Sequence, residues 1–385
     1  MKLEGLRVLD LSRFLPGPYM SLVMADHGAE VIKVESFEGE PTRKLGPQLE
    51  GFSVYFRNTQ RGKLSLRVDL KQSEGKDIFL RLADDADVII DSFRPGVVEK
   101  LGIDYQTVKC RNPGIVYCSL SAFGQTSSLA QRPSHDLGGQ ALTGVLSLSQ
   151  QGNDAPVIPS IPVADVALGS LALAGVMMAL YRRTKTGAGD FLDMTMIGSL
   201  MSWNPHIISD VIVKGESPAL AEERLYGGAA LYNIYTTSDD RYIVLSGAEE
   251  KFAENLLTAL GRPDLIDLCR QPWGEKQDPV KEFLRTSFVT KTQQEWVEWL
   301  EGIGVCYAPV LDLHESWNQP YMREVGIIET GSDGIDRLGT AVRFSGEPGR
   351  PSDKLSTVGE DTDDLLKSLG FSAGERSSLY KSGVC

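Results

Sequence analysis

The feature of the sequence that most constrains its fold is an alternation of short apolar segments with segments of helical spacing in the first 120 residues. Leu6 to Leu11 is an apolar run that ends at a Pro/Gly turn, and residues 19–27 then have helical spacing up to Gly28. Strands are predicted at 6–11, 30–35, 64–68, 88–91 and 115–120, and helices at 19–27, 73–85 and 95–101. Strands separated by helices predict an α/β fold with a parallel sheet and right-handed crossovers.

The pattern changes after residue 160. A long apolar helix is predicted at 165–183, and Gly169, Ser170 and Gly175 interrupt its apolar stretch. We therefore expect a buried helix rather than a membrane span. The later segments are a helix at 193–203, a hairpin of 231–235 with 241–245, helices at 250–260, 281–288 and 293–302, a strand at 307–310, and helices at 361–369 and 373–382. These patterns predict a large domain at 1–200, a smaller α+β domain at 225–325 and a C-terminal segment at 330–385.

Charge and cysteine content exclude several classes of protein. The 385 residues include 39 Lys and Arg against 52 Asp and Glu, which gives a formal net charge of −13 at pH 7. Nonspecific nucleic-acid binding is disfavoured because it needs a basic face. The cysteines contain no CxxC pair, which indicates reduced thiols and argues against zinc. Without an apolar signal region at the N-terminus, a cytoplasmic protein with no membrane partner is expected.

The common nucleotide-binding motifs are missing. The first turn, Leu15-Pro16-Gly17-Pro18, stands where a dinucleotide-binding fold would carry GxGxxG, and Gly62-Lys63 is followed by Leu64 rather than by Ser or Thr. An NAD-dependent oxidoreductase is therefore disfavoured. A basic cluster at residues 57–71 is typical of a solvated face, although it could serve an anionic ligand.

Two residues stand out as candidates for chemistry. His135 lies in the turn-rich segment Pro133 to Gly139, where functional residues are frequent, but a structural role is equally compatible with its position. Asp165 is a single carboxylate in an apolar stretch at a predicted helix start. Its spacing alone favours the interpretation that it caps this helix.

Taken together, the motifs resemble the class III CoA-transferase and α-methylacyl-CoA racemase family (CaiB/BaiF type). The resemblance covers essentially the whole chain in order and spacing. It rests on Gly5 to Ser12 with Gly17-Pro18, Gly28 to Glu35, Arg61-Gly62-Lys63, Phe93-Arg94-Pro95-Gly96, Tyr117 to Leu120 with Phe123 to Thr126, Asp165, Arg183 to Gly187, Tyr232 to Tyr235 and Ala308-Pro309-Val310.

The resemblance implies a Rossmann-like large domain that binds CoA, a smaller α+β domain, and a C-terminal segment that returns to the large domain. It also implies two subunits interlocked like chain links. The ligand would be an acyl-CoA thioester, with no cofactor beyond coenzyme A itself and no metal. Arg94, Arg61 and Lys63 match segments of the family that bind CoA. Ser36-Phe37 stands where many family members have Arg or Pro, so one adenine or phosphate contact of those members is not carried over to this chain.

The family performs two reactions. In its racemases a base and an acid exchange the α-proton of a 2-methylacyl-CoA across opposite faces of Cα. His135 matches the base and Asp165 the acid, and Glu249 matches a glutamate that would orient His135. The apolar neighbours of Asp165 are expected to raise its pKa. Amide groups at the helix start are expected to stabilise the enolate oxygen.

In the family's transferases the matching aspartate is instead a nucleophile that forms an aspartyl-CoA thioester. The transferases more often carry Tyr-Asp where this chain has His135-Asp136, so the racemase is the favoured prediction and the transferase is the alternative. A noncatalytic binding protein with the same fold is a third hypothesis.

Overall fold

The computed structural model of the protein describes residues 1–150 and 154–385 and contains a six-stranded parallel sheet. Its strands are β1 (Arg7–Asp10), β2 (Glu30–Glu35), β3 (Leu64–Arg67), β4 (Val88–Asp91), β5 (Val116–Ser121) and β6 (Asp190–Thr195). Their spatial order is β3-β2-β1-β4-β5-β6. The predicted mixed α/β fold is confirmed, and the strand order reverses between β1 and β4, where ligands of such sheets bind.

Helices cover both faces of this sheet. They are α1 (Pro16–Asp26), α2 (Val54–Gln60), α3 (Ser73–Ala83), α4 (Val97–Leu101), α5 (Tyr105–Arg111), α6 (Asp136–Leu142), α7 (Val163–Thr186) and α8 (Met196–Ser202). On β4, Ile89 belongs to one apolar core, whereas Val88 and Ile90 belong to the core on the opposite face. Because successive side chains of a strand point to opposite faces, each strand contributes to the apolar cores on both sides of the sheet.

The long helix α7 packs in one of these cores. Its residues Ala164, Leu168, Ala172 and Val176, spaced four apart, are buried. A Cβ atom at Gly169 would lie 2.5 Å from the carbonyl oxygen of Pro16, so a glycine is needed for α1 and α7 to approach. Within the described residues, α7 is the one helix that by length and composition could cross a membrane.

The helix predicted at 193–203 is partly wrong. Residues 190–195 form β6, which pairs with β5 from Val116 opposite Asp190 to Ser121 opposite Thr195. The helix begins only at Met196, where the Thr195 hydroxyl accepts a hydrogen bond from the Gly198 amide at 3.0 Å. Hydrogen bonding of residues 190–195 to the edge of β5 thus overrides the helical spacing of their sequence.

The chain divides into two compact units, Met1–Asn204 with Pro320–Cys385, and Pro205–Gln319. The second unit contains an antiparallel sheet of β7 (Tyr232–Thr236), β8 (Tyr242–Ser246) and β9 (Tyr307–Pro309), in the order β9-β8-β7, which includes the predicted hairpin. Its helices are α9 (Ser209–Lys214), α10 (Glu250–Ala259), α11 (Ile266–Cys269), α12 (Asp278–Phe288), α13 (Gln293–Leu300) and α14 (Leu313–Trp317). In its core the Tyr235 ring stacks on Phe288, and the Trp296 ring packs against Phe288 at a tilt.

The C-terminal segment covers the edge strand β3. It contains α15 (Pro320–Glu324), a hairpin of Ile328–Thr330 with Asp336–Leu338, α16 (Thr362–Ser368) and α17 (Ala373–Lys381). A second short hairpin pairs Gln48–Leu49 with Phe52–Ser53 near the start of α2. The Ser65 amide donates to the Asp361 carboxylate at 2.8 Å, and the Asp361 amide donates to the Ser65 carbonyl at 3.1 Å. These bonds occupy an edge that would otherwise be open to pairing with another chain.

Replacing Asp361 by Ala should lower the free energy of unfolding by about 1 kcal/mol, because the Ser65 amide loses its acceptor. Urea unfolding measures this change. Asp364→Ala is the matched control, since Asp364 is an exposed aspartate of α16, which begins directly after Asp361. Equal stability of the two variants would show that the edge contact contributes nothing.

Candidate active site

Two neighbouring cavities lie at the carboxyl ends of the parallel strands in the first unit. The first cavity, of about 280 Å³, is lined by residues that follow β1, β2 and β3, among them Ser36, Phe37 and Glu40. The second cavity, of about 240 Å³, is lined by residues of six segments, including Phe14, Arg94, Pro95, His135, Asp165 and Met196. Arg13 and Phe93 line both cavities, so one extended ligand could reach from the first into the second.

A buried ionic cluster fixes the turn that separates β1 from α1. The Asp10 carboxylate is fully buried, 3.3 Å from the Lys33 ammonium and 3.3 Å from the Lys63 ammonium. Burial alone would raise the pKa of Asp10, but the two lysines and the Ser12 and Ser21 hydroxyls hold it well below its ordinary value. Lys33 also donates to the Ser12 carbonyl. These buried contacts hold the turn from which Arg13 and Phe14 reach the cavities.

Arg61 and Lys63, predicted to bind CoA, are buried, and neither lines either cavity. Arg61 pairs with Asp26 at 2.7 Å. Besides Asp10, Lys63 donates to the Ser21 hydroxyl and to the Gln60 side chain, both at 2.8 Å. Burial lowers the pKa of Lys63 to about 8, and Asp10 opposes that shift. Lys63 donates to internal acceptors, whereas Nε and Nη1 of Arg61 have no hydrogen-bond partner among the described residues, and CoA binding by these two residues stays a prediction.

Asp136, not Asp165, caps helix α7. The helix begins at Val163, with Pro162 in the capping position, and Asp165 is its third residue. The Asp136 carboxylate accepts hydrogen bonds from the amides of Ala164 at 2.7 Å and Asp165 at 3.2 Å. The interpretation of Asp165 as a cap is wrong, because a carboxylate 29 residues earlier takes that place and leaves the Asp165 side chain free for the cavity.

The hydrogen bonds to Asp136 also occupy the amides at the start of α7. The amides of Ala164 and Asp165, expected to stabilise an enolate oxygen, already donate to Asp136. Asp136 is in turn held by the Gln140 side-chain amide at 2.6 Å. Sequence reasoning missed Asp136 as a positioning residue, although its place directly after His135 was the available signal.

Asp165 and His135 line the same cavity. Burial, followed by the charge of Asp136, raises the pKa of Asp165 to about 7. The His135 side chain is exposed at the start of α6, and its ring meets the Phe14 ring edge-on with centroids 6.0 Å apart. A carboxyl group that titrates near neutrality and an imidazole are two groups that can each give and take a proton at neutral pH.

Of the remaining predicted site residues, Arg94 lies at the second cavity and Glu249 does not belong to this unit. Arg94 is exposed, as are Arg13 and Arg132, which line the same cavity. Glu249 immediately precedes α10 in the second unit, and its role towards His135 stays a prediction. Across residues 1–150 and 154–385, no group of three or more His, Cys, Asp or Glu side chains could hold a metal ion.

Comparison with known proteins identifies the family. The profile of CoA-transferase family III matches residues 3–362, and the chain belongs to this family. It is similar to alpha-methylacyl-CoA racemase of Mus musculus, with 32% identity covering 100% of this chain and 97% of that protein. It is also similar to succinyl-CoA:glutarate CoA-transferase of the same organism, with 28% identity covering 99% and 90%. A crystal structure of a CaiB/BaiF family protein from Brucella suis has a TM-score of 0.84 at 28% identity, covering 95% and 99% of the two chains.

The resemblance stated from the motifs is thus confirmed, and the chain is an enzyme of a family that contains both racemases and CoA-transferases. No residue assignment follows from these similarities by itself.

The raised pKa of Asp165 makes a prediction about stability. Because the folded protein holds this proton more tightly than the unfolded chain, the stabilising contribution is complete below pH 3.8 and is lost as the pH rises through about 7. Asp165→Asn abolishes this titration, so its stability relative to wild type should increase between pH 5 and pH 8 in urea unfolding. Asp85→Asn, on an exposed aspartate, is the control. A pH-independent difference for Asp165→Asn would contradict the raised pKa.

Proposed function

We propose that this enzyme racemises 2-methylacyl-CoA thioesters by removing and returning the α-proton. The observation that carries the proposal is the presence of His135 and Asp165 on one cavity, with the Asp165 carboxyl titrating at about 7. Racemisation needs two proton carriers that reach Cα from opposite faces. A buried carboxyl with this pKa serves as either acid or base near neutral pH.

In the forward direction the His135 imidazole takes the α-proton and the C–H electron pair moves into the thioester carbonyl as an enolate. The protonated Asp165 then delivers its proton to the opposite face of Cα, which re-forms the carbonyl with inverted configuration. In the reverse direction the Asp165 carboxylate takes the proton and His135, now protonated, returns one. The family resemblance implies that Glu249 orients the imidazole, and this role stays a prediction.

The CoA moiety of the substrate extends over both cavities. Its adenosine 3′,5′-bisphosphate end occupies the first cavity, where the partly exposed Phe37 ring offers an aromatic face that can stack with the base. Arg94 pairs with a phosphate or pantetheine oxygen at the second cavity, where the thioester lies. Apolar side chains there, among them Leu168 and Met196, surround the acyl group.

A CoA-transferase is the second candidate, and the similarity to succinyl-CoA:glutarate CoA-transferase favours it. In that reaction Asp165 must be ionised to attack the thioester, and it would carry CoA as an aspartyl thioester. The raised pKa reduces the ionised fraction of Asp165 at neutral pH, which favours the racemase.

We further propose a homodimer that acts in the cytoplasm without a partner nucleic acid or membrane and without a cofactor beyond CoA. Met178 and Tyr181 on α7 are 68% and 70% exposed. Such apolar surface on a long helix supports contact with a second copy of the chain. The excess of acidic residues supports the exclusion of nucleic acid.

The reaction is tested by proton NMR of the enzyme with 2-methylbutanoyl-CoA in D2O without an acceptor acid. We expect the α-proton signal to disappear while the thioester stays intact, and Asp165→Ala to lose racemisation. If wild type instead forms a covalent CoA adduct that the alanine variant lacks, without exchange, the transferase is correct. Binding of the thioester with neither result would identify a noncatalytic protein.

Arg94→Gln should weaken CoA binding about tenfold, because an exposed guanidinium that pairs with a phosphate or pantetheine oxygen contributes on the order of 1.4 kcal/mol. Isothermal titration calorimetry with CoA measures the loss. Arg182→Gln is the control, since Arg182 is exposed but lies outside both cavities. Unchanged affinity of the Arg94 variant would remove this residue from the site.

A further inference from the structure

We propose that Glu40 is a positioning residue that couples occupation of the first cavity to the placement of His135 in the second. The inference rests on the proposed function for its kinetic test, and on the contacts alone for its spectroscopic test. Glu40 itself lines the first cavity, whereas His135 lines the second. One hydrogen bond and one aromatic contact connect them through Phe14.

The Glu40 side chain is 3% exposed and points towards the turn after β1. Its Oε1 accepts a hydrogen bond from the Phe14 amide at 2.9 Å and from the Thr42 hydroxyl at 3.3 Å. Its Oε2 lies 3.6 Å from the Lys33 ammonium and has no hydrogen-bond partner among the described residues. The carboxylate therefore joins the loop after β2 to the ionic cluster beneath the turn.

Phe14 needs this support. Its φ of +63° lies in the left-handed region, which a residue with a bulky side chain adopts only when its surroundings hold it there. The Glu40 carboxylate holds the amide side of the residue, and on the other side the Phe14 ring meets the His135 ring edge-on. Displacement of the Glu40 carboxylate would release the turn and move the ring against which His135 packs.

Of the segments that connect the two cavities in this way, the loop that ends at Glu40 is the one that a ligand in the first cavity contacts. Residues 36–40 all line the first cavity, and the Glu40 amide donates to the Glu35 carboxylate at 2.7 Å. Arg43 in turn clamps Glu35 through bonds of 2.9 Å and 2.6 Å. A nucleotide bound in the first cavity therefore contacts the loop that holds the Glu40 carboxylate and, through Phe14, the imidazole. Binding energy from a remote part of the substrate is used in this way to orient the reacting groups.

The kinetic test combines a variant with a truncated substrate. α-Proton exchange is measured with 2-methylbutanoyl-CoA and with the matching N-acetylcysteamine thioester, which leaves the first cavity empty. In wild type, kcat should fall about tenfold or more on truncation, since displaced catalytic groups lose rate steeply. Glu40→Ala should lower kcat for the CoA ester by a similar factor and have little further effect on the truncated ester.

Two variants sharpen the comparison. Glu40→Gln keeps an oxygen acceptor for the Phe14 amide and should retain most of the wild-type kcat, whereas Glu74→Ala, on an exposed glutamate of α3, controls for loss of surface charge. If Glu40→Ala lowers kcat for both esters by the same factor, its role is structural only and the proposal is wrong. A Gln variant as slow as the Ala variant would contradict the hydrogen bond as the connection.

The spectroscopic test does not depend on turnover. Adenosine 3′,5′-bisphosphate is added to wild type while the ring-proton resonance of His135, assigned with His135→Gln, is followed by NMR. We expect this resonance to shift on binding in wild type and to stay in place in Glu40→Ala at a nucleotide concentration that calorimetry shows to be saturating. A nucleotide that fails to bind wild type, or binds without moving the resonance, overturns the proposal. If Glu40→Ala does not fold, Phe14→Leu replaces it, because loss of the ring interrupts the same path.

Discussion

The placement of the active-site groups depends on the buried Asp10 carboxylate and the two lysines that share it. A charge taken out of water is tolerated only when it is paired and hydrogen-bonded, and Asp10 has two ammonium and two hydroxyl partners. Removal of one partner from such a buried pair typically destabilises a protein by about 3–5 kcal/mol. The cluster joins β1, β2 and the segment before β3 directly under the turn that carries Arg13 and Phe14. The Lys-Val-Glu sequence of β2 and the Arg-Gly-Lys sequence before β3 thus support the active-site turn through contacts in the protein interior.

A second carboxylate, Asp136, frees the Asp165 side chain from helix capping and raises its pKa. It supplies the hydrogen-bond acceptor that the start of α7 needs, so the Asp165 side chain is released from capping. Its negative charge also adds to burial in raising the pKa of Asp165. Because His135 is the residue next to Asp136, the turn that fixes the cap also sets the imidazole beside the cavity. Asp136 therefore places one of the two proposed proton carriers and raises the pKa of the other.

The sequence predicts the parts of this structure that depend on local periodicity. Five of the six parallel strands and the hairpin of the second unit follow from apolar alternation, and the family follows from the order of its motifs. The sixth strand could not be predicted, because pairing with β5, rather than an alternation of apolar and polar residues, defines residues 190–195 as a strand. The burial of Arg61 and Lys63 could not be predicted, because their partners, Asp26 and Asp10, are distant in the chain. The cap by Asp136 could not be predicted either, because the helix start that it caps lies 28 residues further along the chain.

The central claim, that Asp165 and His135 act on opposite faces of Cα, is tested most directly with single enantiomers of 2-methylbutanoyl-CoA in D2O. Asp165→Asn and His135→Gln are each incubated with the R and the S thioester, and deuterium at Cα and configuration are measured. The account predicts that each variant exchanges the α-proton of one enantiomer only, that the two variants prefer opposite enantiomers, and that neither inverts the configuration. Loss of exchange for the same enantiomer in both variants, or unchanged racemisation in either, would contradict the assignment of two proton carriers.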